Sequence, residues 1–196
     1  MRENEIEICT RPVEKILQGL PSEIRRVLVI RCAPEKLFNY CIEALQRWTP
    51  ELELTVLCHQ GGRVPGCKSI VYRDKGFFRL ENLDIKALRR AEFDLVAVPY
   101  ATNRRLSPYY HNVDRIAEAA GSGKILFVYQ DLTAHLAEDD FMRLKQREVV
   151  GPYLKRKQEA IGEICEFTGE PFDVVEEKFT PSYDTVRPAE LCYHVV

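Results

Sequence analysis

The chain has 196 residues, 45% of them hydrophobic, with 28 basic and 30 acidic side chains and a formal net charge of −2. That length supports one sizeable domain and excludes two full α/β domains. The apolar content excludes wholesale disorder, and the near-neutral balance argues against a globally basic nucleic-acid binder.

Val13, Ile16, Leu17 and Leu20 recur at helical spacing behind Pro12, which predicts a first helix ended by Pro21. Val27-Leu28-Val29-Ile30 is a continuous apolar run, as expected of a strand buried on both faces. Pro34 opens a second helix whose inner stripe is Leu37, Cys41, Ala44, Leu45 and Trp48, and Thr49-Pro50 stops it. Leu52 to Cys58 is the second predicted strand, followed by a turn at Gly61-Gly62, and Ser69 to Tyr72 is a short third. A short helix is expected from Asp84 to Arg90, then a fourth strand through Leu95-Val96-Ala97-Val98-Pro99-Tyr100. Val113, Ile116, Ala117 and Ala120 mark another helix, closed by Gly121. Ile125 to Tyr129 is the fifth strand.

This alternation predicts an α/β fold: a single Rossmann-like domain of about five mostly parallel strands, helices on both faces, plus a C-terminal helical extension. The expected organisation is an N-terminal helical segment over 1–24, the α/β domain over 25–136, and an extension over 137–196 packed on that domain. In the extension, Glu138-Asp139-Asp140 suits a helix start, Gly151-Pro152 interrupts the helical pattern, and 169–196 is expected to be irregular. No apolar run reaches the roughly 18 residues of a membrane-spanning helix, so no transmembrane segment is expected. The acidic stretch Met1 to Glu7 lacks the apolar core of a signal peptide, which points to a cytoplasmic protein.

Ligands of open parallel sheets bind outside the carboxyl ends of the strands. That rule selects Cys32 and Glu35 after the first strand, Tyr100, Thr102, Asn103, Arg104 and Arg105 after the fourth, and Gln130 and Asp131 after the fifth. Two guanidiniums before a helix can hold a phosphate or carboxylate, while Asn103 and Thr102 can orient hydroxyls and Tyr100 can stack on a sugar ring. The same loop also reads as a solvated connection whose tyrosines cover the sheet. Cys32 sits where a helix start lowers a thiol pKa, but no arginine follows to hold an oxyanion, and a structural thiol is the plainer reading. No G-x-G-x-x-G or P-loop pattern occurs, so no nucleotide cofactor is expected. Gly61-Gly62-Arg63 reads as a phosphate nest or as a plain turn. The seven cysteines form no C-x-x-C pair, and His59, His111, His135 and His194 lie apart, so neither a disulfide framework nor a metal site is expected.

Arg26 to Arg31, the helix ending Glu43-Ala44-Leu45-Gln46-Arg47-Trp48-Thr49-Pro50, Leu52 to Leu57, Phe93 to Tyr100 and Tyr110 to Ile116 together resemble the N-terminal half of lipopolysaccharide heptosyltransferases, glycosyltransferase family 9. The resemblance spans roughly residues 25 to 130 and rests on no single specific motif. It implies the acceptor-side Rossmann-like domain of a GT-B fold, without the second, donor-binding domain. Ala33 and Pro34 stand where that family carries a Gly-Asp pair, so the resemblance brings no catalytic carboxylate with it. The expectation is a non-catalytic or accessory module that binds a sugar, a sugar phosphate, a glycan precursor or a partner protein. The alternative is a glycosyltransferase-related subunit in hexosyl or heptosyl transfer whose donor site comes from another chain.

Overall fold

The computed structural model describes residues 8–74, 76–137, 139–176 and 178. Seven strands form one sheet: β1 (Arg11–Pro12), β2 (Arg26–Ile30), β3 (Glu53–His59), β4 (Lys68–Tyr72), β5 (Leu95–Pro99), β6 (Ile125–Val128) and β7 (Thr133–Ala137). Across the sheet they run β1-β7-β6-β5-β2-β3-β4. The five from β2 to β6 are parallel, while β7 pairs antiparallel with β6, and β1 with β7. All five predicted strands are present, and the parallel part has the order of a doubly wound Rossmann-like sheet.

Alternation along the strands splits the core into two layers. On one face Val27, Val29, Val56, Cys58, Ala97 and Val128 meet α1 (Val13–Gln18) and α2 (Glu35–Trp48). On the other, Leu28, Ile30, Leu57, Val96, Val98 and Phe127 meet α3 (Ile85–Arg90) and α4 (His111–Ala119). The apolar stripe of α2 buries Leu37, Phe38, Cys41, Ile42, Ala44 and Leu45. Each large side chain among them contributes about 1.5–3 kcal/mol. Asp84 caps α3 by accepting from the Ala87 N–H.

Three expectations are corrected. The sheet has seven strands rather than about five, because β7 folds back beside β6 and offers an edge to β1. The N-terminal segment is not purely helical, since Arg11 and Pro12 pair with Ala134 and Thr133. The first helix ends at Gln18, with Gly19 as its cap, before Pro21 is reached.

The chain divides between Arg143 and Leu144 into two compact units, and the sheet with α1 to α4 lies in the first. In the second, a π-helical stretch, Gln146–Val150, runs straight into an eighteen-residue helix, Gly151–Thr168. The expected interruption at Gly151-Pro152 is therefore a change of winding within a continuous helical path. A Cβ on Gly151 would lie 3.2 Å from the Gln146 carbonyl oxygen, so glycine relieves crowding there. Gly169 closes the long helix at φ +72°, its N–H donating to the Cys165 carbonyl. Residues 172–176 are again helical within the tail read as irregular. Glu138, and nearly all of that tail beyond residue 176, fall outside the described residues.

Candidate functional site

Neighbouring β2 and β5 send their connections to opposite faces of the sheet, so the crevice between their carboxyl ends is the topological switch point. Cys32 and Tyr100 leave the sheet there. The Cys32 thiol donates to the Pro99 carbonyl at 3.2 Å, stitching the two strand ends together. Burial pushes this thiol far above its ordinary value, and the Asp114 carboxylate adds to the shift. A thiol so placed is a poor nucleophile.

Tyr100 is fully buried, which corrects its expected role as a stacking platform for a sugar. Its hydroxyl donates to Asp114 Oδ1, and its ring stacks on Tyr110 at 4.0 Å between centroids. The Tyr110 hydroxyl accepts from the Ala101 N–H at 2.7 Å. That N–H, at the start of the loop, is thereby withdrawn from any ligand. Burial, followed by the charge of Asp114, holds the Tyr100 phenol protonated well beyond its usual range. Beside this pair, the Tyr129 hydroxyl and His135 Nδ1 share a hydrogen bond of 2.7 Å.

A second network closes the loop after β5 onto the β6–β7 turn. Arg105 Nη2 lies 2.7 Å from Asp131 Oδ2 and 3.0 Å from Thr133 Oγ1. The same guanidinium sits 4.1 Å over the Tyr129 ring. Asn103 Oδ1 accepts from the Asp131 N–H, and Thr102 Oγ1 accepts from the Arg104 N–H. Partial burial works against ionisation of Asp131, but the bonds from Arg105 and Thr133 prevail and hold its carboxyl below the ordinary 3.8. Thr102, Asn103, Arg105 and Asp131 are thus brought together and largely satisfy one another. The two guanidiniums do not act as a matched pair: Arg105 is engaged, while Arg104 is exposed. Gln130 is exposed on the adjoining turn.

Glu35 is exposed in the first turn of α2. The cap of that helix is Pro34, which has no N–H, so a carboxylate and a missing donor stand where a phosphate cradle would need donors. The loop after β3 is a turn rather than an anion nest. Arg31 Nη1 donates to the Gly62 carbonyl at 2.7 Å, and a Cβ on Gly62 would crowd the His59 oxygen at 3.1 Å. A cleft of about 490 Å³ lies instead at the amino ends of β2, β3 and β4, lined by Arg26, Glu53, Lys68, Ile70, Leu88 and Phe93 among others. Among the described residues no cluster of His, Cys, Asp and Glu could hold a metal ion, and no helix is long and apolar enough to cross a membrane.

Sequence reasoning missed Asp114, Tyr110, Tyr129 and His135 as members of this cluster. Asp114 left one trace: it stands three residues before Ala117, on the buried stripe of α4, where a carboxylate needs a partner. Compared with known protein families, characterised proteins and solved structures, the chain matches none.

Proposed function

We propose that this chain is a sugar- or sugar-phosphate-binding domain built on the acceptor-side half of a glycosyltransferase fold, and that it transfers nothing by itself. The observation that carries this reading is the Arg105–Asp131 pair. Asp131 is the carboxylate tied to the loop after β5 through Arg105, its charge already matched by the guanidinium and its carboxyl held below 3.8. A base so weakened cannot readily take a proton from an acceptor hydroxyl. Cys32 and Tyr100, the other groups at the strand ends, are held protonated by burial. Of the candidate residues, Arg104, Asn103, Gln130 and Glu35 remain open to solvent, and the first three offer a rim suited to recognition. A sugar phosphate would place its phosphate on Arg104 and its hydroxyls on the two amides.

A thermal-shift series on the full chain tests this with hexose and heptose phosphates, the free sugars, and UDP- and ADP-sugars. A ligand in about hundredfold excess over its Kd stabilises by about 2.7 kcal/mol. Stabilisation by sugar phosphates that disappears in Arg104→Ala supports the binding domain. Stabilisation by nucleotide-sugars alone favours the enzyme-subunit reading, and no shift with any of them sinks the proposal.

A further inference from the structure

The cleft at the amino ends of β2, β3 and β4 lies at the opposite end of the parallel strands from the loop after β5. Its volume of about 490 Å³ falls within the range of small-molecule sites, about 300–1,000 Å³. One wall is α3 and the other is the sheet, with Ile70, Leu88 and Phe93 as apolar lining. One polar group is sunk among them. Thr55 lines the cleft at 7% exposure, and among the described residues its hydroxyl makes no hydrogen bond. Register and alternation explain why. Thr55 shares its face of the sheet with Leu57, and its neighbours across the strands are Leu28 and Lys68. The leucines offer no partner, and the Lys68 ammonium is drawn to Glu53 at 2.6 Å. A hydroxyl so buried is costly to leave unbonded, and a polar group that meets it in the cleft breaks no bond within the protein.

The charged groups lining the cleft are matched except for one. Arg26 pairs with Glu92 at 3.3 Å, Lys68 pairs with Glu53, and Asp84 accepts from the Ala87 N–H. Arg90, exposed at the end of α3, also lines the cleft, and its guanidinium makes no ion pair or hydrogen bond among the described residues. We infer that this cleft binds a small carboxylic acid with an apolar body and a second polar group. Arg90 takes the carboxylate, Ile70, Leu88 and Phe93 take the body, and Thr55 takes the second polar group. Charge complementarity sets the sign of the ligand. A cation would find both lining carboxylates already engaged, and a neutral apolar molecule would answer neither Arg90 nor Thr55. The forked guanidinium matches a planar carboxylate with two parallel bonds. Because the cleft and the loop after β5 share no residue, binding at one can fail while binding at the other stands.

Titration calorimetry of the full chain tests the inference with 4-hydroxyphenylacetate, indole-3-acetate and 4-methyl-2-oxopentanoate, each beside its neutral amide. At least one acid is expected to bind saturably, and its amide about tenfold more weakly. Arg90→Ala should weaken that acid about tenfold and Thr55→Val about fivefold. Thr55→Val should also melt at or above the wild-type temperature, because it removes a buried hydroxyl that has no partner, whereas a hydroxyl that held the fold together would lower it. Thr55→Ser, which keeps the hydroxyl, should bind within about twofold of wild type. No binding by any of the acids overturns the inference, and so does equal affinity for acid and amide. Affinity indifferent to Arg90→Ala or to Thr55→Val overturns it as well, and binding lost in Arg104→Ala instead would place the acid on the loop after β5. If Thr55→Val does not fold, Arg90→Ala, at an exposed position, decides the matter.

Discussion

Arg105 and Asp131, twenty-six residues apart in the chain, form the ion pair that ties the loop after β5 to the turn after β6. The guanidinium is 22% exposed and the carboxylate 35%, so the pair is neither a free surface contact nor a buried one. A pair so placed contributes toward the upper end of the about 0.2–1 kcal/mol range of exposed pairs. The Tyr129 face adds about 0.5–1 kcal/mol. Arg105→Ala is therefore expected to destabilise by about 1–2 kcal/mol in urea unfolding, while the exposed Arg104→Ala stays within about 0.5 kcal/mol. Equal effects from the two substitutions would show that the network holds nothing.

The same pair has a pH signature. The Asp131 carboxyl is held below 3.8 in the folded chain, so its contribution is present above that unfolded value. The contribution is lost as pH falls through the lower, folded value. The stability difference between wild type and Arg105→Ala should stay flat from neutral pH to about pH 4 and shrink below it. A difference that grew on acidification would contradict the sign.

How much of this was legible in the sequence depends on the element. The strands β2, β5 and β6 hold continuous apolar runs because both faces are covered, and such runs announce themselves. In contrast, β7 reads Thr133-Ala134-His135-Leu136-Ala137, with neither β-branched density nor a turn glycine before it. Its strand character comes from pairing with β6, a tertiary fact. The loop after β5 was legible as polar, aromatic and basic. Which of its groups are spent on each other was not, because the partners Asp131, Thr133 and Asp114 lie on other elements.

Asp94 is a further tie between strands. Its Oδ2 accepts from the backbone N–H groups of both Arg25 and Arg26 at 2.8 Å, pinning the start of β2 beside the start of β5. Partial burial opposes its ionisation, but these two backbone bonds prevail and hold the carboxyl below its ordinary value. Hydrogen bonds to a charged acceptor contribute about 1.5–3 kcal/mol. Asp94→Ala is expected to cost about 2 kcal/mol in equilibrium unfolding, and Asp94→Asn less, since its amide oxygen can still accept. An Asp94→Ala variant as stable as wild type would place the strand registration elsewhere.

Thiol chemistry separates the cysteines by environment. Burial pushes the Cys41 thiol up to about 12 and the Cys32 thiol higher still, whereas Cys9 is exposed. At neutral pH the thiolate is the reacting form, so Cys9 should alkylate readily in the native protein. Cys32 and Cys41 should react only after unfolding. Peptide mapping after brief iodoacetamide treatment reads this directly, and rapid native labelling of Cys32 would restore it as a candidate nucleophile.

The turn that carries Asp131 holds a strained residue. Leu132 adopts φ +63° and is 43% exposed, with its N–H donating to the Tyr129 carbonyl at 2.9 Å. A side chain in the left-handed region costs about 1–2 kcal/mol. Glycine removes that cost but adds unfolded-state entropy worth about 0.5–1 kcal/mol. The half-exposed leucine side chain loses little burial on deletion. Leu132→Gly should therefore be neutral to stabilising by about 1 kcal/mol. Leu132→Val should lose about 1–2 kcal/mol, because β-branching fits that conformation worst. Leu132→Ala, which keeps the strain and loses only exposed surface, should fall near wild type. Urea midpoints for the three variants give the order. If glycine is instead the least stable of them, the leucine side chain stabilises the turn by covering its neighbours, and backbone strain is not what governs it.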